Sequence, residues 1–328
     1  MSGAIPNELH VACAADADFA ADCATMLVSL MSQHDPNRVV IHFLHDKQLP
    51  APVMAGLASS VARAGGEWRP LAVPHHLIAH LQDSPRYGLS ASFRLLLPDL
   101  LAPLERVLYL DSDIVVMKSL WSLWERPLNG HCLAAVTNPL YSHMVPRIRD
   151  GLGLNEPDRY FNSGVLLMDL KAMRETGRAR RLLELVRREG GRFPWVDQDP
   201  LNIVYADSRV DLEPRWNAQT AYFQLPRRYL PYSTSEIYEA RTQPAIVHFS
   251  GPFKPWHYRC RVPYKKEYFR YRRRTDWPDC AVIGESFPNW VLHRIPAVWA
   301  YFLELWWGRL RQLKASLKWW RKPKGGPG

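Results

Sequence analysis

The sequence predicts an α/β fold: a mostly parallel mixed sheet with helices on both faces, followed by a basic, aromatic helical tail. Short apolar runs rich in β-branched residues alternate with stretches of helical spacing, a pattern typical of parallel sheets. At 328 residues, with 47% apolar and 23% charged residues, the composition is that of a globular protein. Residues 257–328 hold 16 of the 42 Lys and Arg but 5 of the 32 Asp and Glu, so the excess positive charge lies in the tail.

The elements of the body can be assigned in chain order. The first apolar run ends at Asp16, the second begins at Arg38 and is β-branched, and the run from Arg106 to Leu110 is the strongest. The predicted strands are 10–15, 38–44, 68–73, 106–110, 131–136, 163–168 and 245–249. The predicted helices are 20–33, 51–64, 90–101, 171–189 and 197–206. Because of Pro98, the pattern does not fix the residue at which the third helix ends. Because ligands of such sheets bind beyond the carboxyl ends of the strands, residues at those ends are the functional candidates.

The cysteines and the N-terminus bear on the location of the protein. The five cysteines form no Cys-x-x-Cys pair, which excludes a disulfide-built scaffold, disfavours a zinc finger and indicates a reducing compartment. The N-terminus has no cationic start followed by an apolar core, and no apolar run reaches the ~18 residues of a spanning helix. We therefore expect a cytoplasmic protein.

Two aspartates interrupt the strongest apolar stretch. Asp111 and Asp113 follow the strand at 106–110, and the apolar run resumes at Ile114. Carboxylates in a core-like stretch are costly unless a cation meets them, and a pair at i and i+2 can reach one divalent ion, which can in turn hold a diphosphate. The alternative is a solvated turn, which is common for so short a motif, although the flanking apolar runs disfavour it.

A second cluster follows the last predicted strand. His248 closes an apolar run and precedes Gly251 and Lys254, which suits a metal ligand, a backbone open to close approach and a phosphate-facing ammonium. Two carboxylates and one imidazole favour Mn²⁺ over Mg²⁺, which prefers an all-oxygen shell and is kept as the alternative ion. A single histidine at a strand end is more often structural, and this is the alternative for His248.

Two further stretches place polar residues beside apolar runs. Residues 161–170 form a strand that begins with a polar corner of small residues, and residues 197–202 open a helix. Asp199, just before Pro200, is expected to cap that helix. Capping leaves Asp197 and Gln198 unexplained, so a substrate-facing role is expected for those two.

Together these four stretches resemble glycosyltransferase family 8, and within it the bacterial lipopolysaccharide galactosyl- and glucosyltransferases. The resemblance runs from about His10 to Trp256 through the motifs Tyr-Leu-Asp-Ser-Asp, Phe-Asn-Ser-Gly-Val-Leu-Leu-Met-Asp-Leu, Asp-Gln-Asp-Pro-Leu-Asn and His-Phe-Ser-Gly-Pro-Phe-Lys-Pro-Trp. It implies a GT-A catalytic domain over residues 1–256, a UDP-hexose donor, Mn²⁺ and retention of anomeric configuration. Residues 257–328 form a separate basic, Trp-rich region.

The resemblance also implies a role for each candidate residue. The metal ligands are Asp111, Asp113 and His248, and the catalytic residues are Asp197 and Gln198, with Gln198 near the anomeric carbon. The implied donor-binding residues are Asp16 and Asp18 at the uracil or ribose, Arg94 and Ser112 near the donor, Asn162 (with Asp197) at the sugar hydroxyls, and Gly251 and Lys254 at the diphosphate. Related galactosyltransferases have an acidic acceptor residue after the strand at 131–136, where this chain has Thr137 and Asn138, so a different acceptor or sugar is expected.

The expected reaction passes through an oxocarbenium-like state, with the metal and Lys254 stabilising the departing UDP. A carboxylate nucleophile is one route to retention. The residue at the matching position is Gln198, whose amide is a poor nucleophile. We therefore favour attack by the acceptor hydroxyl on the same face, helped by the leaving phosphate.

The tail is predicted to bind a membrane surface. From Trp299 to Trp320, apolar residues recur at steps of three or four, with Arg311, Lys314 and Lys318 to one side. This pattern favours binding of residues 290–328 to an anionic membrane surface, peripheral at the inner face and close to a glycolipid acceptor. The alternative is a helix packed on the body, and the arginines of residues 270–274 are expected to form a solvated face.

Two other classes of protein were weighed against a transferase. A catalytically silent protein of the same fold that binds nucleotide sugars or carbohydrates is the main alternative, but it would have no need of two unpaired carboxylates. A nucleic-acid-binding protein is expected to be basic throughout, whereas residues 1–256 have a net charge of −1. No nucleic-acid partner is expected.

Overall fold

The computed structural model of the protein describes residues 7–79, 81, 88–140, 144–295 and 299. Its strands are β1 (Leu9–Ala14), β2 (Val39–His45), β3 (Glu67–Ala72), β4 (Arg106–Leu110), β5 (Ile114–Val116), β6 (Leu133–Thr137), β7 (Phe161–Asp169), β8 (Arg209–Asp211), β9 (Ala218–Gln219) and β10 (Ile246–His248). Its α-helices are α1 (Ala20–Met31), α2 (Ala51–Arg63), α3 (His75–Ile78), α4 (Leu97–Leu100), α5 (Trp121–Trp124), α6 (Leu170–Glu175), α7 (Arg178–Glu189), α8 (Gln198–Tyr205), α9 (Thr220–Gln224), α10 (Thr234–Thr242), α11 (Lys265–Arg272) and α12 (Phe287–Arg294).

The larger sheet has seven strands in the order β3-β2-β1-β4-β7-β6-β8. Neighbouring strands are parallel except at β7, which is antiparallel to both β4 and β6. The predicted α/β class with a mostly parallel mixed sheet is therefore confirmed. Because β7 runs against its neighbours, its first residues lie at the edge where β4 and β6 end.

Helices cover both faces of this sheet, as the alternation of side chains along β1 illustrates. Leu9, Val11 and Cys13 belong to the hydrophobic core that includes α1 and α2. Ala12 and Ala14 point to the opposite face and belong to a second core that includes residues of α4, α6, α7 and α8. A strand buried on both faces reads as a continuous apolar run, which is why this strand is recognisable in the sequence.

Two predicted helices differ from those in the structure. The expected helix at 90–101 is a 3₁₀-helix over Ser90–Leu96 that continues as α4, with Pro98 in the first turn of α4. The expected helix at 171–189 is divided into α6 and α7 at Thr176 and Gly177. Strands β5, β8 and β9 have only two or three residues each, too few to show a period of two.

A smaller sheet of three strands, in the order β5-β10-β9, adjoins the larger one. The chain leaves β4 of the larger sheet, passes through Asp111–Asp113 and enters β5 of the smaller sheet. In the smaller sheet, His248 of β10 pairs with Ile114 of β5, and the amide of Phe249 donates to the carbonyl of Asp113. The junction of the two sheets therefore brings the aspartates and the histidine together from distant parts of the chain.

The first part of the basic C-terminal region packs on the body. Tyr268 and Tyr271 of α11 share a hydrophobic cluster with Val28 of α1. The Tyr268 hydroxyl donates to the buried carboxylate of Asp22, and Arg272 pairs with the same carboxylate at 3.3 Å. Arg272 is therefore buried, and the solvated face expected at residues 270–274 is wrong for this side chain, although Arg270, Arg273 and Arg274 are exposed.

The stripe predicted from Trp299 to Trp320 lies outside the described residues, apart from Trp299 itself, which is 64% exposed. Among the residues that the structure describes, no helix has both the length and the apolar character that crossing a bilayer requires. The division of the chain at residue 256 stays a prediction.

Candidate functional site

Asp111, Asp113 and His248 converge at the junction of the two sheets. One ligand atom from each lies within 4.8 Å of those of the other two. His248 Nε2 is 3.1 Å from Asp113 Oδ1 and 3.8 Å from Asp111 Oδ2. The imidazole is buried, whereas the two carboxylates keep partial exposure. The three residues expected to bind a metal thus form one group, and its two carboxylates are partly accessible to solvent.

Lys254 lies against this group. Its ammonium donates to Asp113 Oδ2 and to the carbonyl oxygen of Phe249, at 3.0 Å from the latter. Burial by itself would raise the pKa of Asp113, but Lys254 and His248 outweigh burial and hold that pKa below its usual range. Asp113 is therefore a carboxylate that is ready to bind a cation.

Arg94 joins Asp111 to the second predicted pair, Asp197 and Gln198. Its guanidinium is buried, lies 2.7 Å from Asp111 Oδ1 and 3.2 Å from Asp197 Oδ2, and donates to the carbonyl oxygen of Ser163. Burial alone would lower the pKa of Arg94, but the two carboxylates outweigh burial and raise it. The Arg94 charge is thus used to hold two acidic side chains in one site.

Asp197 and Gln198 lie at the start of α8 and face the first residues of β7. Asp197 Oδ2 accepts a hydrogen bond of 2.7 Å from the Ser163 hydroxyl, and burial raises its pKa although Arg94 opposes this. Gln198 Oε1 accepts from the Ser163 amide and from Asn162 Nδ2, each at 3.1 Å. The polar corner that begins β7 therefore holds both of the residues expected to be catalytic.

The remaining oxygen of Asn162 connects this corner to the histidine. Asn162 Oδ1 accepts from the Gly164 amide at 3.0 Å and from Asn217 Nδ2 at 2.8 Å. Asn217 Oδ1 in turn lies 2.9 Å from Nδ1 of His248. Both asparagines are buried, so a continuous hydrogen-bonded chain runs from Gln198 to His248.

Gly164 leaves the space in which the ligand atoms meet. A β-carbon at this position would lie 2.5 Å from Asp111 Oδ2 and 2.5 Å from the Cε1 atom of His248. The donor set of two carboxylates and one imidazole suits a divalent ion with mixed oxygen and nitrogen ligands. The residues present therefore fit a metal ion, with Asp111, Asp113 and His248 as its protein ligands.

Comparison with known proteins identifies the family. The model of Glycosyl transferase family 8 matches residues 10–260, about three quarters of the chain. The chain belongs to glycosyltransferase family 8. The predicted family is confirmed, and the protein is a glycosyltransferase by family. Enzymes of this family use a nucleotide sugar and a divalent metal. The group formed by Asp111, Asp113 and His248 is suited to bind the metal.

Two curated relatives and one solved structure illustrate the similarity. General stress protein A of Bacillus subtilis (strain 168) is 28% identical over 274 residues, which cover 82% of this chain and 94% of that protein. Lipopolysaccharide 1,2-glucosyltransferase of Escherichia coli (strain K12) is 29% identical over 54% of this chain, and the match spans only 51% of that enzyme. The solved structure of the galactosyltransferase LgtC with donor and acceptor sugar analogues has a TM-score of 0.70 at 24% identity, covering 82% of this chain and 96% of that one. The expected GT-A fold is therefore confirmed.

Two other predicted donor-binding residues of this family 8 chain, Asp16 and Ser112, follow the carboxyl ends of β1 and β4 in the larger sheet. Asp16 is half-buried after β1, where it accepts from the Phe19 amide at 3.1 Å, while Asp18 is exposed. The Ser112 hydroxyl is used within the protein, since it donates to the carbonyl oxygen of Ala14 at 2.9 Å. Gly251 has a φ of +99°, and a β-carbon there would meet no atom of the described residues within 4 Å, so among these residues its backbone is open to approach.

The expected helix cap at Asp199 is wrong. The first residue before α8 is Asp197, whose side chain caps no amide of the helix, and Asp199 lies inside the first turn. The fully buried Asp199 carboxylate instead pairs with Arg147 at 3.0 Å and accepts from the Tyr160 hydroxyl at 2.6 Å. Asp199 thereby fixes the segment before β7 to the start of α8.

Sequence reasoning missed several residues of the site. Asn217 lies in a four-residue 3₁₀ turn, Pro214–Asn217, and nothing in the local pattern separates it from any other asparagine in a turn. Arg147 lies in a π-helical turn with no motif around it. Ser163 and Gly164 stand within a recognised motif, as small residues at the start of an apolar strand, and that pattern was the signal that could have found them.

Proposed function

We propose that this chain transfers a hexose, galactose or glucose, from a UDP-sugar to a saccharide acceptor with retention of configuration. The observation that carries the proposal is the convergence of Asp111, Asp113 and His248 beside Lys254 and Arg94 at the carboxyl edge of the sheet. Cationic and metal-binding groups at one point suit a diphosphate leaving group. The names of relatives that act on lipopolysaccharide support a lipopolysaccharide or other lipid-linked glycan as the acceptor.

The ion we propose is Mn²⁺, because one of the three protein ligands is an imidazole nitrogen. When bound, the ion supplies positive charge to the diphosphate as it departs. Lys254, which reaches Asp113 and the Phe249 carbonyl, adds a second positive charge at the same place. The open backbone at Gly251 supports close approach of the phosphates.

The hydrogen bonds of Asp197 and Gln198 support attack by the acceptor on the same face as the leaving group. The Gln198 carbonyl oxygen already accepts from the Ser163 amide and from Asn162, which leaves it a poor nucleophile. The Asp197 oxygen that faces Ser163 and Arg94 is held by a hydroxyl and a guanidinium. These contacts instead favour Asp197 and Gln198 as groups that orient the hexose and stabilise positive charge near its anomeric carbon.

A polar cavity beside Thr137 supports the acceptor side of the proposal. It has a volume of about 600 Å³, and its lining includes Arg159, Arg209 and Tyr232. Thr137 ends β6 and pairs with Phe161, the residue before Asn162, so one wall of the cavity lies near the polar corner that begins β7. Hydroxyl, guanidinium and carboxylate groups around such a cavity suit the hydroxyls of a saccharide.

A donor screen tests the reaction. The purified protein with Mn²⁺ is incubated with a panel of UDP-sugars without acceptor, and slow release of UDP is measured. We expect release from UDP-galactose or UDP-glucose and its loss in His248→Ala. A folded protein that releases UDP from no UDP-hexose but binds one would favour the catalytically silent alternative.

Retention is tested separately, by mass spectrometry of the protein during turnover. Same-face attack predicts no covalent glycosyl adduct. An adduct on Asp197 or Gln198 would overturn this route while leaving the transfer of a hexose intact.

Attachment to an anionic membrane surface is the last part of the proposal. The described end of the chain supports it, because Phe287 is 77% and Trp290 43% exposed, and Arg294 lies over the Trp290 ring. Flotation with anionic liposomes is expected for the full chain and not for a protein that ends at residue 289. Equal flotation of the two would remove residues 290–328 from the membrane role.

A further inference from the structure

The buried amides behind His248 carry one more inference. We propose that Asn217 is a positioning residue for the metal site: its side-chain oxygen holds the proton of His248 on Nδ1 and so directs Nε2 towards Asp111 and Asp113. The inference rests on the proposed function, because it concerns a histidine that binds a metal. Asn217 itself is fully buried, so its proposed role is exerted through His248.

The direction of each hydrogen bond follows from a backbone donor. The Gly164 amide can only donate, so Asn162 Oδ1, 3.0 Å away, is correctly the oxygen. Asn217 Nδ2 lies 2.8 Å from that oxygen and is therefore the donor. An asparagine that presents its nitrogen to Asn162 presents its oxygen to the other side, where His248 Nδ1 lies at 2.9 Å. The proton between them belongs to His248.

The Gln198 end of the hydrogen-bonded series gives the same orientation independently. The Ser163 amide, another obligate donor, lies 3.1 Å from Gln198 Oε1 and marks that atom as the oxygen. Asn162 Nδ2 donates to the same oxygen at 3.1 Å. Two backbone amides thus fix both ends of the Asn162 side chain, and the orientation of Asn217 follows from it.

The consequence for His248 is that the tautomer and the orientation of its imidazole ring are fixed. With its proton kept on Nδ1, the neutral imidazole leaves Nε2 as the nitrogen that can bind a metal, and Nε2 lies 3.1 Å from Asp113 Oδ1. If the proton were on Nε2 of a neutral ring, that nitrogen would donate to Asp113 and occupy a carboxylate oxygen that the ion needs. Partners of this kind on metal-binding histidines typically contribute 10–100-fold in metal affinity.

The test pairs Asn217→Leu with the matched variant Asn217→Asp. Leucine offers no acceptor to Nδ1, whereas the aspartate oxygen still does, although aspartate cannot donate to Asn162. Binding of Mn²⁺ in the presence of UDP is followed by electron paramagnetic resonance of the free ion. We expect affinity to fall by about 10–100-fold in Asn217→Leu and to stay close to that of the unchanged protein in Asn217→Asp.

A second readout follows the proton itself. In ¹⁵N-histidine-labelled protein, the Nδ1–H signal of His248, assigned by its absence in His248→Gln, is expected in the unchanged protein and in Asn217→Asp and is expected to disappear in Asn217→Leu. A merely structural role for Asn217 would not move this signal, and thermal unfolding shows whether each variant is folded.

The outcomes separate the two proposals. If the unchanged protein binds no Mn²⁺ with UDP present, the proposed function fails. If it binds Mn²⁺ and folded Asn217→Leu binds equally well with the Nδ1–H signal retained, only the role of Asn217 is overturned. Should Asn217→Leu not fold, Asn217→Asp decides: loss of Mn²⁺ affinity in that folded variant overturns the role, and retained affinity with the Nδ1–H signal supports it.

Discussion

Gly164→Ala is expected to disable the site while leaving the fold intact. The new β-carbon would lie 2.5 Å from Asp111 Oδ2 and from His248 Cε1, whereas ordinary van der Waals contact begins at 3.4 Å. Two metal ligands would therefore have to retreat by about 0.9 Å each, or β7 would have to shift by a similar distance. A misplacement of about 1 Å can cost on the order of 10²-fold in rate, while overpacking costs about 1–3 kcal/mol of folding stability.

The assay for Gly164→Ala compares turnover, metal affinity and stability. We expect kcat for UDP release to fall by about 10²-fold and Mn²⁺ binding to weaken, with a cooperative thermal transition preserved. Gly191→Ala is the matched control, because a β-carbon at Gly191 would come within 4 Å of no atom in the part of the chain that the structure describes. Normal turnover and normal Mn²⁺ affinity in folded Gly164→Ala would refute the idea that the ligand atoms share one ion in the space beside this glycine.

Three further predictions concern the metal group and two buried carboxylates. Asp113→Ala is expected to lower turnover by about 10²-fold or more, the scale of a lost preorganised charge contact, as measured by UDP release. Burial raises the pKa of Asp22 to about 7 from an ordinary 3.8, against the opposing Tyr268 hydroxyl and Arg272. Between these two pKa values the folded protein therefore binds more protons than the unfolded chain. Its free energy of unfolding falls by up to about 4 kcal/mol as pH rises from about 4 to 7. Asp22→Asn is expected to remove this pH dependence, as measured by urea titrations at several pH values. Asp199→Ala is expected to lower the free energy of unfolding by about 2 kcal/mol or more, because the buried Tyr160 hydroxyl loses its acceptor and Arg147 its partner.

Each of these has a clear contrary result. Near-normal turnover of Asp113→Ala would remove the metal from the leaving-group step. An Asp22→Asn protein whose stability still falls as pH rises towards neutrality would assign the slope to another group. Unchanged urea stability of Asp199→Ala would mean that Arg147 and Tyr160 find other partners.

The sequence predicted the class of fold because five strands of the larger sheet, β1, β2, β4, β6 and β7, are buried on both faces over nearly their whole length. Such strands are continuous apolar runs, and each of the seven predicted runs contains or overlaps an observed strand. The order of the strands and the reversed direction of β7 depend on contacts between distant segments, which no local pattern records. The same limit applies to β8 and β9, whose few residues pair only because their neighbours are already in place.

The convergence of Asp111, Asp113 and His248 could be predicted because each follows or ends an apolar run, and strand ends meet at one edge of a sheet. The supporting residues could not. Asn217 acquires its contact with His248 from a 3₁₀ turn that packs behind β10, and Arg272 reaches Asp22 across 250 positions of sequence. In the sequence alone, Arg272 is one of several arginines in a charged run. Only the packing of α11 on α1 shows that Arg272, and not its neighbours, pairs with Asp22.

That packing sets a lower bound on how far the chain can be shortened. The family match stops at residue 260, but Arg63 of α2 pairs with Asp276, and the Trp277 ring lies against Gly56 of the same helix. A protein trimmed to the matched residues would deprive the Asp22 carboxylate of its tyrosine and arginine partners and would expose the side of α1 that holds Val28. Truncated versions for biochemistry should therefore extend at least to Trp277.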